Sequence, residues 1–177
     1  MRIFIHFLLF FSNILMIFSQ NDDYLKLYNE LYEQVDFVSP VDGIIIFIDN
    51  QYIGFGYKKD YLNEEISFSD DTYILGIVNQ RIYSISDGEI ISIENSSFFG
   101  GHLIIKNNDY QVEYFFINID NNIKIGDKVE KGQLLGKFFH YYPDAQETEF
   151  ILRIKYKNYY FDPYLLLPEI KIKRDKI

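Results

Sequence analysis

From Phe37 onward the chain is a succession of apolar, β-branched and aromatic segments, each five to eight residues long and set apart by tight-turn residues. Segments this short cannot bury a face alone. They become stable only by pairing into a sheet of several strands. The candidate strands are Gly43–Ile48, Gln51–Tyr57, Ile82–Ser86, Glu89–Glu94, His102–Lys106, Gln111–Ile117, Gln133–Phe139 and Glu149–Tyr156. Asp49-Asn50, Asp87-Gly88, Asn107-Asn108-Asp109, Gly126-Asp127 and Lys131-Gly132 supply the turn chemistry between them. The pattern predicts a mainly β protein, an antiparallel sandwich or barrel-like sheet, with one short helix before it.

That helix is expected at residues 22–35. Tyr24, Leu27, Tyr28, Leu31, Tyr32 and Val35 recur at three- and four-residue spacing, and Asp22 and Asp23 suit an N-terminal cap. Residues 1–20 read differently. A basic Arg2 precedes an apolar run to Phe18, the pattern of a secretory signal peptide with a cut near Ser19 or Gln20, or of an uncleaved anchor. The expected organisation is a leader over 1–20, an amphipathic helix over 21–36, one β domain over 37–168 and a basic tail over 169–177. The expected location is outside the cytoplasm, in the periplasm or cell envelope. Membrane contact is expected only through an uncleaved leader.

Composition excludes several chemistries. The 177 residues carry 17 Lys+Arg against 26 Asp+Glu, a balance that argues against a nucleic-acid groove. There is no cysteine, hence no disulfide, thiolate metal site or cysteine nucleophile. No Gly-rich phosphate loop, Gly-x-Ser-x-Gly elbow or His-Glu-x-x-His helix is present.

The run Ile123-Lys124-Ile125-Gly126-Asp127-Lys128-Val129-Glu130-Lys131-Gly132-Gln133-Leu134-Leu135-Gly136 reads as two tight turns flanking a short strand. It resembles a hairpin found in lysostaphin/LytM-type peptidoglycan metallopeptidases, and also the related hairpin of biotinyl/lipoyl carrier domains. The flanking order favours the former. Pro40-Val41-Asp42-Gly43-Ile44, Asp87-Gly88, Gly100-Gly101-His102-Leu103, Tyr114-Phe115-Phe116-Ile117 and Phe161-Asp162-Pro163 follow one another as in that family. A carrier domain would need a modifiable lysine in a tight hairpin, and neither Lys137 nor Lys155 is so placed.

The resemblance implies a zinc site built from a His and an Asp of an early loop and the second His of a His-x-His strand, assisted by two further histidines. Once the leader is set aside only His102 and His140 remain. The early loop around Ser67–Tyr73 has no His; its ligand Asp corresponds to Tyr73, with Asp70 and Asp71 as alternatives. The Tyr-x-His-Leu histidine corresponds to Phe116. Glu149 and Ile151 stand where the His-x-His pair belongs. The sequence therefore points to a degenerate member with no catalytic or metal residues. Its former groove, lined by Tyr73, Phe116, Glu149 and Ile151, would contact a cell-wall hydrolase, another envelope protein or peptidoglycan. An active zinc endopeptidase with a displaced metal site, and a purely structural anchored protein, are the competing expectations.

Overall fold

The computed structural model describes residues 23–49, 53–60, 62–140, 145–167 and 170–173. The predicted leader lies outside the described residues. The chain divides into two compact units, one ending at Val35 and the other beginning at Asp36. The first holds helix α1, residues 23–34, within the predicted span of 22–35.

The second unit is the β body. Its strands are β1 (Ile45–Ile48), β2 (Gly56–Lys59), β3 (Ile66–Ser69), β4 (Thr72–Ile77), β5 (Arg81–Tyr83), β6 (Gly88–Ser96) and β7 (Gly100–Asn107). They continue as β8 (Tyr110–Ile119), β9 (Lys128–Val129), β10 (Leu134–Phe138), β11 (Glu147–Tyr156), β12 (Tyr159–Phe161) and β13 (Ile170–Lys173). Among the described residues the main sheet runs β13-β1-β4-β11-β8-β7-β6-β9. All its pairs are antiparallel except β1–β13. The predicted mainly β, antiparallel architecture is the one observed.

Strand alternation divides this sheet into two faces. One face carries Ile74, Leu103, Ile105, Val112, Tyr114, Phe150, Leu152 and Ile154, all buried. Phe37, β5 and β10 cover it. The Phe37 ring meets Tyr110 edge-on at 5.6 Å and Phe138 meets Phe150 edge-on at 5.2 Å. The Ile85 N–H donates to the buried Tyr114 hydroxyl at 2.9 Å. The other face carries Tyr73, Glu149, Ile151, Arg153, Glu113, Phe115 and His102, and bears the candidate site.

Four segments depart from expectation. The stretch Gln51–Tyr57 does not form one strand; residues 53–55 bend, and extended structure begins at Gly56, where β2 pairs with β3. The stretch Ser67–Tyr73, expected as a loop, is largely strand, because Ser67 pairs with Lys58 and Tyr73 pairs with both Ile48 and Ile151. Alternation over Ile66–Ser69 is too short to reveal a two-stranded pairing. Residues 170–173, expected within the basic tail, lie parallel to β1. The segment Ile82–Ser86 also stops being a strand at Tyr83. Beyond it the polar groups turn to other partners: Ser84 N–H to the Gln133 carbonyl and Ser84 Oγ to the Ser86 carbonyl.

The double-turn motif folds as read. Gly126 and Gly132 sit at φ of +90° and +80°, where a side chain is costly. Gly136, the last residue of that motif, has a different role. A Cβ there would meet the Asn118 carbonyl oxygen at 2.3 Å, so β10 can lie this close to β8 only as glycine.

Candidate functional site

Of the expected groove residues, Tyr73, Glu149 and Ile151 share one face of neighbouring strands β4 and β11, and Phe115 of β8, rather than the expected Phe116, stands beside Ile151. Tyr73 of β4 stands directly opposite Ile151 of β11, and Ile151 stands directly opposite Phe115 of β8. Glu149 lies two residues along β11, opposite Leu75. Directly opposed residues on one sheet face are within side-chain contact, so Tyr73, Ile151 and Phe115 form a row across the sheet. Ile151 is only 5% exposed; Tyr73, Glu149 and Phe116 are half-buried.

Phe116 occupies the irregular point of β8. Its φ is +64°, a region sparsely used by aromatic residues and costing on the order of 1–3 kcal/mol. The cause is a bulge: Gly101 pairs with Ile117 but His102 pairs with Phe115, leaving Phe116 as the extra residue. Here β8 also changes partner, from β11 up to Phe115 to β10 from Ile117. Phe115, Phe116 and His102 line a shallow depression of about 250 Å³, with Glu94 to Ser96 on its far rim.

Beside the row lies a charged and aromatic cluster. Arg153 Nη2 and Nε donate to Asp71 Oδ1 at 2.6 and 2.7 Å. Arg153 Nη1 and His102 Nε2 each lie 3.9 Å from Glu113 Oε2. The His102 ring stacks on Phe115 at 3.8 Å, and the Arg153 guanidinium lies 4.7 Å from the centre of the same ring. Tyr160 donates its hydroxyl to Glu113 at 3.4 Å.

Burial governs the electrostatics. It raises the Glu149 carboxyl above its ordinary range. It raises the Tyr73 phenol too, reinforced by the nearby Asp71 and Glu149 charges. It lowers His102, against the opposing pull of Glu113 and Glu94, so the neutral imidazole is favoured.

This donor set does not fit a catalytic zinc. Such a site takes three nitrogen, oxygen or sulfur ligands and an open position. Ile151, at the centre of the row, has no lone pair to give, and Phe116 can neither ligate nor transfer a proton. Asp71, weighed as a substitute ligand, is engaged by a guanidinium. Among the described residues no three His, Cys, Asp or Glu groups converge to hold a metal. His140 is exposed and contributes nothing to this face.

Sequence reasoning missed Arg153, Glu113, Phe115 and Tyr160. Alternation along Glu149-x-Ile151-x-Arg153 and Glu113-x-Phe115 would have placed the first three on the groove face.

The model of peptidase family M23 matches residues 71–163, more than half of the chain. The chain belongs to peptidase family M23. Solved structures agree on the fold. A zinc containing peptidase from Vibrio cholerae superposes with a TM-score of 0.56 at 19% identity, covering 72% of this M23 chain and 39% of that protein. The M23 chain thus spans well under half of that peptidase's length. A mutant catalytic domain of the prophage-encoded M23 protein EnpA from Enterococcus faecalis gives 0.52 at 18% identity, covering 72% of this chain and 95% of that one. A chain of the SpoIIQ–SpoIIIAH pore forming complex gives 0.51 at 12% identity, with coverage of 75% and 90%. Among curated proteins no significant match is found. The resemblance drawn from the turn motifs is therefore correct at the level of the family.

Proposed function

We propose that this M23 domain is a pseudo-peptidase of the cell envelope, exported by its leader, that binds a peptide or protein partner through the former catalytic groove and does not cleave it. The observation that carries the reading is the row Tyr73–Ile151–Phe115. Ile151 is paired between Tyr73 and Phe115, and the sequence resemblance aligns this aliphatic residue with the metal ligand of the family's closing His-x-His strand. The neighbouring Arg153 guanidinium adds a fixed positive charge that opposes a bound cation. What remains is an aromatic and aliphatic strip flanked by Arg153, Glu113 and Glu149. That mixture suits apolar anchors and a few charge-assisted hydrogen bonds to a peptide.

The fold's occurrence in the SpoIIQ–SpoIIIAH pore forming complex supports a binding role for such domains. A cell-wall hydrolase or another envelope protein is the partner class we favour, with peptidoglycan peptide as the other.

The test combines zinc analysis of the full chain with digestion of purified peptidoglycan, and photocrosslinking in cells from a benzoylphenylalanine placed at Tyr73. The expected results are no stoichiometric zinc, no chelator-sensitive release of peptides, and a discrete adduct absent when the probe sits at exposed Leu62. Zinc-dependent cleavage would overturn the pseudo-peptidase reading in favour of a displaced metal site. Identical adducts from both positions would remove the groove as the binding surface.

A further inference from the structure

A cavity of about 360 Å³ opens at the end of β1 and the start of β4. It is separate from the groove. Thr72 and Tyr73 are consecutive in β4 and so project to opposite faces; Thr72 lines the cavity and Tyr73 the groove row. The volume falls in the range of small-molecule sites.

Its walls are unusual in combination. Phe47, Phe55 and Tyr164 supply aromatic surface, and Asp49, Asp162 and Thr72 supply oxygens. Thr72 is 4% exposed, and its Oγ1 is buried without a hydrogen-bond partner. A buried hydroxyl left unpaired is destabilising, so this atom is one to which a ligand hydrogen bond would add directly. Asp162 uses Oδ1 to accept the Tyr164 N–H at 3.0 Å, capping the 3₁₀ turn Pro163–Leu165, and Oδ2 takes no part in that cap. Asp49 is paired with the Lys58 ammonium. Among the described residues Asp49 and Asp162 share the Lys58 ammonium, two carboxylates against one cation, so this group keeps a net negative charge. Burial, with the Asp49 charge adding to it, raises the Asp162 carboxyl above its ordinary range against the opposing pull of the Tyr164 N–H and Lys58.

We propose that this cavity binds a primary ammonium group carried on a short alkyl chain, as found in a diamino-acid side chain or a polyamine. An ammonium has three N–H donors and one positive charge. Asp162 Oδ2, Thr72 Oγ1 and Asp49 offer three acceptors and one unbalanced negative charge. The aromatic walls suit both the alkyl chain and the cation face-on. A hard metal ion is the poorer match, because it would need more oxygens than these walls provide. The inference stands independently of the groove reading, since the two sites lie on opposite faces.

The test is titration of the full chain with n-pentylammonium chloride, followed by calorimetry and by amide shifts of Thr72 and Asp162, alongside 1-pentanol and calcium chloride. Saturable binding of the ammonium is expected, with the alcohol about ten-fold weaker, the loss of one charge-assisted contact. D162N keeps the cap oxygen and is expected to weaken the ammonium about ten-fold while leaving the alcohol unchanged. T72V is expected to weaken the ammonium several-fold with the helix and sheet signals intact. Equal binding of alcohol and ammonium, absence of saturation in the folded protein, or unaltered binding by D162N would overturn the proposal. Displacement of the ammonium by equimolar calcium would overturn it in favour of a metal site.

Discussion

Arg153 grips Asp71 through two nitrogens, Nη2 at 2.6 Å and Nε at 2.7 Å, both on the same oxygen Oδ1. Asp71 leads into β4, and Arg153 lies on β11 one position beyond the Leu152–Thr72 pair, so this contact ties together the two strands that build the groove floor. Arg153 also lies against Phe115 and near Glu113, reaching β8 as well.

Replacing Arg153 with Met keeps the length of the side chain but strands Asp71 and the buried Glu113. The expected cost is about 2 kcal/mol, between the values for exposed and buried pairs. Adding D71N is expected to recover part of it, because the partners are coupled. Urea titration of the two variants checks both numbers. A loss below the error of the measurement would mean the pair is only a surface contact.

Glu149 gives a pH dependence of defined sign. Burial raises its folded-state value above the ordinary 4.5, so the folded protein holds this proton to higher pH than the unfolded chain. Its contribution to stability therefore falls as pH rises from that ordinary value through the raised one. Glu149→Gln removes the penalty. The variant is expected to match the wild type near about pH 4 and to exceed its melting temperature near about pH 7. Thermal melts across that window are the check, and a gain equal at both ends would contradict it.

His102 works in the opposite direction. Its imidazole is lowered from the ordinary 6.5 chiefly by burial, so the stability it contributes is lost as pH falls below that ordinary value. His102→Asn is expected to flatten stability on the acid side of neutrality, read from urea midpoints at successive pH values.

Tyr114 carries a hydrogen bond inside the core. Its oxygen accepts the Ile85 N–H, and burial raises the phenol far above its ordinary value, so it stays neutral. Tyr114→Phe leaves a buried backbone donor unpaired. The expected cost is about 1–3 kcal/mol with no change in metal content or in the groove, measured by chemical denaturation.

Phe115 and Phe116 are adjacent yet should respond unequally. Phe115 has ordinary strand geometry and is packed between His102 and Arg153, whereas Phe116 sits at positive φ. Glycine at 116 recovers backbone strain as it removes the ring; at 115 it only loses packing and adds backbone entropy. Phe115→Gly is expected to cost about 2 kcal/mol more than Phe116→Gly. Equal losses would show that the bulge stores no strain.

Much of this protein was determined by its sequence alone. Period-two alternation and Gly/Asn/Asp turns specify strands of the sheet, because a half-buried strand must alternate and a tight turn needs those residue types. The same local rules placed Gly126 and Gly132, and the absence of imidazole from residues 73, 116, 149 and 151 is a matter of reading letters. Tertiary structure decided the rest. The β2–β3 pair is too short to signal itself and exists only because one strand meets the other. The pairing of residues 170–173 with β1 joins segments more than a hundred residues apart, which no local window contains. Arg153, Glu113 and Asp71 lie far apart in the chain, and only the register of β4, β11 and β8 brings their charges together. That register follows from which faces must be buried across the whole sheet, a condition no single segment carries.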